Sequence, residues 1–238
     1  YGSTSRLARF DMSELSGPDA PLRLIGDAWS PEGALTSAAL AQPFSVVLLD
    51  EIEKAHPEVL NLLLQLFDDG RLTDAAGTTA SFTQTVIIMT SNLGARQRAP
   101  VGFDEASEAL MHDVARAVRE FFPPELFNRI DAIVPFRPLT HDVALDVTQK
   151  ELSKLFGRSG LVERSVFVQV GRAAIERIAH DSLRAEDGAR SLKRFIEDRI
   201  GTLLSEQIAK APGAAMQVLR IADGRDGLRI DSEPLVEA

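Results

Sequence analysis

Cysteine is absent from the 238 residues, and tyrosine and tryptophan occur once each. Without cysteine there is no disulfide framework and no thiolate metal site. Four scattered histidines make no zinc-like spacing, so any bound metal is expected to be a hard ion held by oxygens. Long apolar runs are also missing. No stretch approaches the roughly 18 uncharged apolar residues of a membrane span, and the opening YGSTSRLARF has no apolar core of a secretory signal. Neither a membrane nor export is indicated, and the expected location is cytoplasmic. Basic excess is lacking too: 26 Lys and Arg stand against 35 Asp and Glu, a formal charge of −9, which argues against a nucleic-acid surface.

A hydrophobic content of 45% suffices for packed cores in one large domain or two modest ones. Leu7 to Phe10, FSVVLLDE, TVIIMTSN and DAIVPF (131–136) are short apolar or β-branched runs, the pattern of strands buried on both faces of a parallel sheet. Helical periodicity lies between them, over Leu60 to Phe67 and Ala109 to Phe122, and Pro123-Pro124 interrupts the latter. The first part of the chain therefore reads as α/β. After Phe136-Arg137-Pro138-Leu139 the spacing predicts helices over about 141–156, 171–183 and 188–210. It also predicts strands at SVFVQV, MQVLRIA and GLRID, a second and smaller α+β domain. No internal repeat and no low-complexity segment is present.

Val46-Val47-Leu48-Leu49-Asp50-Glu51 is an apolar strand that delivers two adjacent carboxylates to its C-terminal end, in the form of a Walker B motif. Ligands of open α/β sheets sit beyond the carboxyl ends of the strands. Asp50 is expected to hold Mg²⁺ on a nucleoside triphosphate through water. Glu51 is expected to orient and polarise the water that attacks the γ-phosphoryl group. The six residues alone fit equally a strand followed by an acidic helix start.

RFDMSE (9–14), LLDEIEKAHPEV (48–59), DDGRLTD (68–74), IIMTSNLGA (87–95), FNRID (127–131) and GARSLKR (188–194) follow one another in an order that resembles the second ATPase module of the Clp ATPases. That group holds the ClpB disaggregases and the ClpA and ClpC unfoldases, and the resemblance covers roughly residues 6 to 231. It implies an AAA+ P-loop large domain over 1–137 and a small α+β lid domain over 138–238. It also implies ATP and Mg²⁺ as cofactors and a hexameric homo-oligomer acting on protein substrates. Asn92 matches the sensor-1 position, where a carboxamide holds the attacking water or the γ-phosphate. Arg129 matches the arginine finger, supplied to the next subunit to stabilise charge on the transferring phosphoryl oxygens. Arg190 matches sensor 2, which reaches the nucleotide from the small domain. Taken singly, Asn92 fits a turn or cap, Arg129 a surface ion pair and Arg190 a solvated helix start.

The sequence departs from this family in four places. GxxxxGK[ST], whose glycines, lysine and hydroxyl cradle phosphates, does not occur in the 238 residues. The resemblance places it, with the first strand of the sheet, before Tyr1. The chain is thus expected to be a fragment that does not hydrolyse ATP by itself. The loop that carries an aromatic grip on the translocating polypeptide is reduced to GDAWSPEGALT (26–36), where Trp29 is the candidate paddle and local packing the other reading. Pro123 and Thr78 replace arginines near the nucleotide or the subunit interface. Beyond these departures, Val101-Gly102-Phe103 in a polar loop is similar to the tripeptide with which ClpC-like unfoldases dock on a ClpP-type peptidase ring. The resulting expectation is a protein-unfolding ATPase that feeds a peptidase. The alternatives are a ClpB-like disaggregase and a non-hydrolysing ring subunit.

Overall fold

A computed structural model describes residues 2–94, 105–136, 139–182, 189–210, 217–224 and 227–234. The chain divides into two compact units, Tyr1–Pro135 and Phe136–Ala238.

In the first unit three parallel strands, β1 (Leu7–Asp11), β2 (Val46–Asp50) and β5 (Val86–Met89), form a sheet in the order β1-β2-β5. Parallel neighbours need crossover connections, and the chain supplies them. Helices α1 (Ala20–Ile25) and α2 (Ala34–Ala41) lie between β1 and β2. Helix α3 (Pro57–Asp69) and a short antiparallel hairpin, β3 (Arg71–Thr73) with β4 (Thr79–Ser81), lie between β2 and β5.

Alternation along β2 decides which side is core. Val47 and Leu49 are buried in one cluster with Met12, Leu24, Leu35, Leu63 and Leu66. Val46, Leu48 and Asp50 point to the other face. There the register sets Leu7 beside Val46 and Val86, and Arg9 beside Leu48 and Ile88. That face is open: Leu7, Val86 and Ile88 are each nearly half exposed.

Helix α3 shows why the sequence folds as it does at the site. Pro57 occupies the first turn, where its missing N–H costs nothing, and the ring Nδ1 of His56 accepts the Glu58 N–H at 3.3 Å. Val59, Leu62, Leu63 and Leu66 recur at helical spacing and are buried. The helix stops at Gly70, whose N–H closes on the Leu66 carbonyl at 2.9 Å. Helix α4 (Glu105–Phe121) ends before Pro123-Pro124, and α5 (Pro124–Phe127) starts on the second proline.

The expected fourth strand, DAIVPF at 131–136, is not one. These residues carry no regular secondary structure, and Val134 and Phe136 are largely exposed. β-branched composition makes a strand only where a neighbouring strand accepts its ladder, and the described strands give this segment none.

The second unit holds helices α6 (His141–Phe156), α7 (Ser159–Val162), α8 (Arg172–Ser182), α9 (Ala189–Phe195) and α10 (Gly201–Lys210), with a π-helical turn, Ile196–Ile200, between the last two. Its sheet runs β6-β7-β8, with β6 (Val166–Val170) parallel to β7 (Gln217–Gly224) and β8 (Gly227–Pro234) antiparallel to β7. Leu152, Ile178, Leu192, Ile196, Ile200, Leu219 and Ile221 form a separate core. The architecture is α/β with a parallel sheet, followed by a smaller α+β body.

Candidate functional site

The C-terminal ends of β2 and β5 are joined by one side chain. The Thr90 hydroxyl accepts the Glu51 N–H at 3.0 Å and donates to Asp50 Oδ1. The Thr90 backbone repeats the tie: its N–H donates to the Leu49 carbonyl at 3.0 Å, and its carbonyl accepts the Ile52 N–H at 2.9 Å. Held this way, Glu51 adopts φ 56° and ψ 52°, a left-handed conformation that costs a residue with a Cβ about 1 to 2 kcal/mol. The chain turns there, and the regular strand ends at Asp50.

The carboxylates have different partners. Asp50 Oδ2 pairs with Arg9, which reaches it along the open face of the sheet from the neighbouring strand. The Asp50 carboxyl is held below the ordinary carboxylate range, first by the Thr90 hydroxyl and then, against the opposing effect of burial, by Arg9. Glu51 pairs with Lys54 one short turn later, and this contact raises the Lys54 ammonium. Both pairs are partly solvent-exposed, so they are available to exchange for a ligand.

Asn92 lies two residues beyond Thr90, past the end of β5. Its backbone N–H and its side-chain Nδ2 both donate to Glu53 Oε1, at 3.1 and 3.3 Å. The structure thus brings Asp50, Glu51 and Asn92 to one edge of the sheet, with Thr90, Arg9, Lys54 and Glu53 among them. Sequence reasoning missed these last four. Thr90 alone left a signal, as the hydroxyl of TSN at a strand end. The pairings of Arg9 and Glu53 are tertiary.

Asp50 suits a hard cation that keeps most of its shell as water and phosphate oxygens, because it offers oxygen donors from one carboxylate. Among the described residues no cluster of three or more His, Cys, Asp or Glu forms a protein cage.

Of the other predicted residues, Arg129 is held elsewhere in the first unit. Arg129, just after α5, forms an ion pair with Asp68 at 2.6 Å in the last turn of α3. A rise of about 1.5 Å per residue puts Asp68 roughly 16 Å along the helix from its start near the carboxylates. Arg190 is an exposed residue of α9 in the second unit. Val101, Gly102 and Phe103 lie outside the described residues.

Trp29 is 96% exposed. Its loop is nonetheless built. Asp27 Oδ1 accepts the N–H groups of Trp29 and Ser30 at 2.8 and 2.7 Å, and the Asp27 N–H closes on the Ser30 carbonyl at 2.8 Å. Gly26 sits at φ 86°, where a Cβ would overlap the Pro31 carbonyl. The Ala75 N–H, from the β3–β4 turn, ties the base of the loop through the Ile25 carbonyl at 2.9 Å.

Residues 1–133 match the family described as AAA domain (Cdc48 subfamily), and residues 139–221 match the C-terminal, D2-small domain, of ClpB protein. The chain is 38% identical over 246 residues to the chaperone protein ClpB of Mesorhizobium japonicum, covering 100% of this chain and 28% of that protein. It is 36% identical to that of Meiothermus ruber over 248 residues, with the same coverage. Against that of Bacillus cereus it is 40% identical over 215 residues, 87% of this chain and 25% of that one. The chain therefore spans little more than a quarter of the length of these curated relatives. With an AAA domain, a ClpB-type small domain and ClpB chaperones alike along its length, the chain belongs to the Clp ATPase family, as a second AAA module.

Proposed function

We propose that the chain belongs to the ATP-hydrolysing module of a ClpB-like chaperone ring that remodels proteins without handing them to a peptidase. The observation that carries this reading is the paired strand-end carboxylate, Asp50 and Glu51, fixed by Thr90 beside Asn92. Glu51 takes the role of holding and polarising the attacking water, apart from the metal-binding role of Asp50, which agrees with the separate partners of the two carboxylates. Asn92 fixes the water or the γ-phosphate. When bound through Asp50, Mg²⁺ supplies neutralising charge on the triphosphate.

Arg129 acts in trans, which agrees with its exposed position at the far end of α3. Hydrolysis is then a property of the homo-oligomer, a hexameric ring, and not of one subunit. Arg190 completes the nucleotide contacts by its place in Gly188-Ala189-Arg190. Trp29 takes the part of the polypeptide grip, supported by its complete exposure on a tied loop.

The peptidase-feeding expectation rested on Val101-Gly102-Phe103. The relatives carry the name of a ClpB chaperone and favour the disaggregase alternative. The test is reactivation of a heat-aggregated reporter enzyme by the full-length protein with ATP and no peptidase. Reactivation that survives Phe103→Ala is expected. ATP-dependent degradation with an added peptidase ring, lost in Phe103→Ala, would restore the peptidase reading.

A further inference from the structure

Glu53 carries an unexplained cost. It sits in the single 3₁₀ turn Ile52–Lys54, pinned by buried Ile52 and by the Ile52 N–H on the Thr90 carbonyl. One carboxylate oxygen, Oε1, accepts both N–H donors of Asn92. The other, Oε2, is buried with no hydrogen-bond partner among the described residues. A buried carboxylate oxygen without a partner there costs free energy, so stability alone does not explain Glu53.

Its two bonds to Asn92 do explain it. A carboxamide has a donor end and an acceptor end, and free in solvent it presents either. With Nδ2 committed to Glu53, the orientation of the Asn92 side chain is fixed, and Oδ1 with the second Nδ2 proton is left for a ligand. The Asn92 backbone is held by the same oxygen, so the side chain and the chain that carries it are oriented together. This is what a group acting on a developing transition state requires, because reorientation during reaction would add to the barrier.

We infer that Glu53 is a positioning residue for ATP hydrolysis, acting through Asn92, to which it gives one orientation. The inference rests on the proposed ATPase reading of Asp50, Glu51 and Asn92.

In the full-length protein, Glu53→Ala is expected to lower kcat for ATP about tenfold or more while KM changes less than about twofold. Glu53→Gln keeps one oxygen acceptor and should retain most of kcat. On an Asn92→Ala background Glu53→Ala should cost nothing more, since the residue it acts through is gone. Two readouts do not depend on turnover. In the full-length protein ¹⁵N-labelled at asparagine, the Asn92 side-chain amide protons should exchange with water faster after Glu53→Ala. The change in Tm should be small, because the two bonds to exposed Asn92 and the cost of the unpartnered oxygen leave together. The inference is overturned if Asn92→Ala slows turnover but Glu53→Ala does not, if the two losses add, or if Glu53→Ala lowers Tm without changing the amide exchange. Should Asn92→Ala leave kcat unaltered, the ATPase role of Asn92 fails instead. The amide exchange then decides whether Glu53 orients that side chain: unchanged exchange overturns the inference.

Discussion

The hydroxyl of Thr90 accepts the backbone N–H of Glu51 at 3.0 Å while donating its own proton to Asp50. One side chain just past β5 thereby sets the conformation of both residues at the end of β2. The left-handed turn at Glu51 persists because Thr90 satisfies the amide that the turn would otherwise leave without a strand partner. Removing that hydroxyl tests the relationship. Thr90→Val keeps the shape and loses the two bonds, and is expected to cost about 1 to 3 kcal/mol of stability and about tenfold in ATP turnover. The pH dependence follows from Asp50. Its carboxyl is lower in the folded chain than the ordinary 3.8, so its contribution is fully present above that value and is lost as pH falls through the folded one. The Tm difference between parent and Thr90→Val should be largest near neutral pH and shrink as the pH falls below the ordinary carboxylate value. A difference that stays constant as the pH falls below that value would mean that the hydroxyl does not act through Asp50.

Trp29 and Gly26 lie in one loop and are expected to behave in opposite ways. Trp29 is almost wholly exposed, so Trp29→Ala should leave stability within about 0.5 kcal/mol while lowering substrate-stimulated work of the full-length protein. Gly26→Ala forces a side chain into the left-handed region and onto the Pro31 carbonyl, and should destabilise by more than about 1 kcal/mol. Thermal melts of the two variants, with a protein-remodelling assay, separate the roles. A stability loss in Trp29→Ala equal to that of Gly26→Ala would make Trp29 a packing residue.

Arg129 is paired with Asp68 in the chain itself, yet its proposed task lies on the neighbouring subunit. An exposed pair of this kind contributes little, so Arg129→Ala should leave stability within about 1 kcal/mol. Its effect on turnover should be large. Mixing Arg129→Ala with Glu51→Gln subunits should restore part of the activity, because some interfaces then join an intact Glu51 to an intact Arg129. No recovery in rings that demonstrably exchange subunits would exclude a finger acting in trans.

Much of this was legible in the sequence, for local reasons. VVLLDE announced a strand and the carboxylates at its end, although only the Val47 and Leu49 face is buried and not both faces as expected, and the bounds of α6 follow directly from its periodicity. Pro123-Pro124 marked the break between α4 and α5. DAIVPF misled because β-branched composition cannot state whether a partner strand is present. The β3–β4 hairpin went unread because strands of three residues carry too little alternation. Thr90, Arg9 and Glu53 stood in view, but their partners lie about 40 positions away, and only the register of parallel strands brings them together.

The central claim is that Asp50 and Glu51 form a hydrolytic site in which the two carboxylates have separate tasks. Its most direct test is Glu51→Gln in the full-length protein, with nucleotide affinity at equilibrium measured beside steady-state ATP turnover. Positioning and polarising water is a transition-state task, so affinity should stay within about threefold while turnover falls at least about a hundredfold. Turnover close to that of the parent, or a loss of affinity that accounts for the whole loss of turnover, would contradict the assignment.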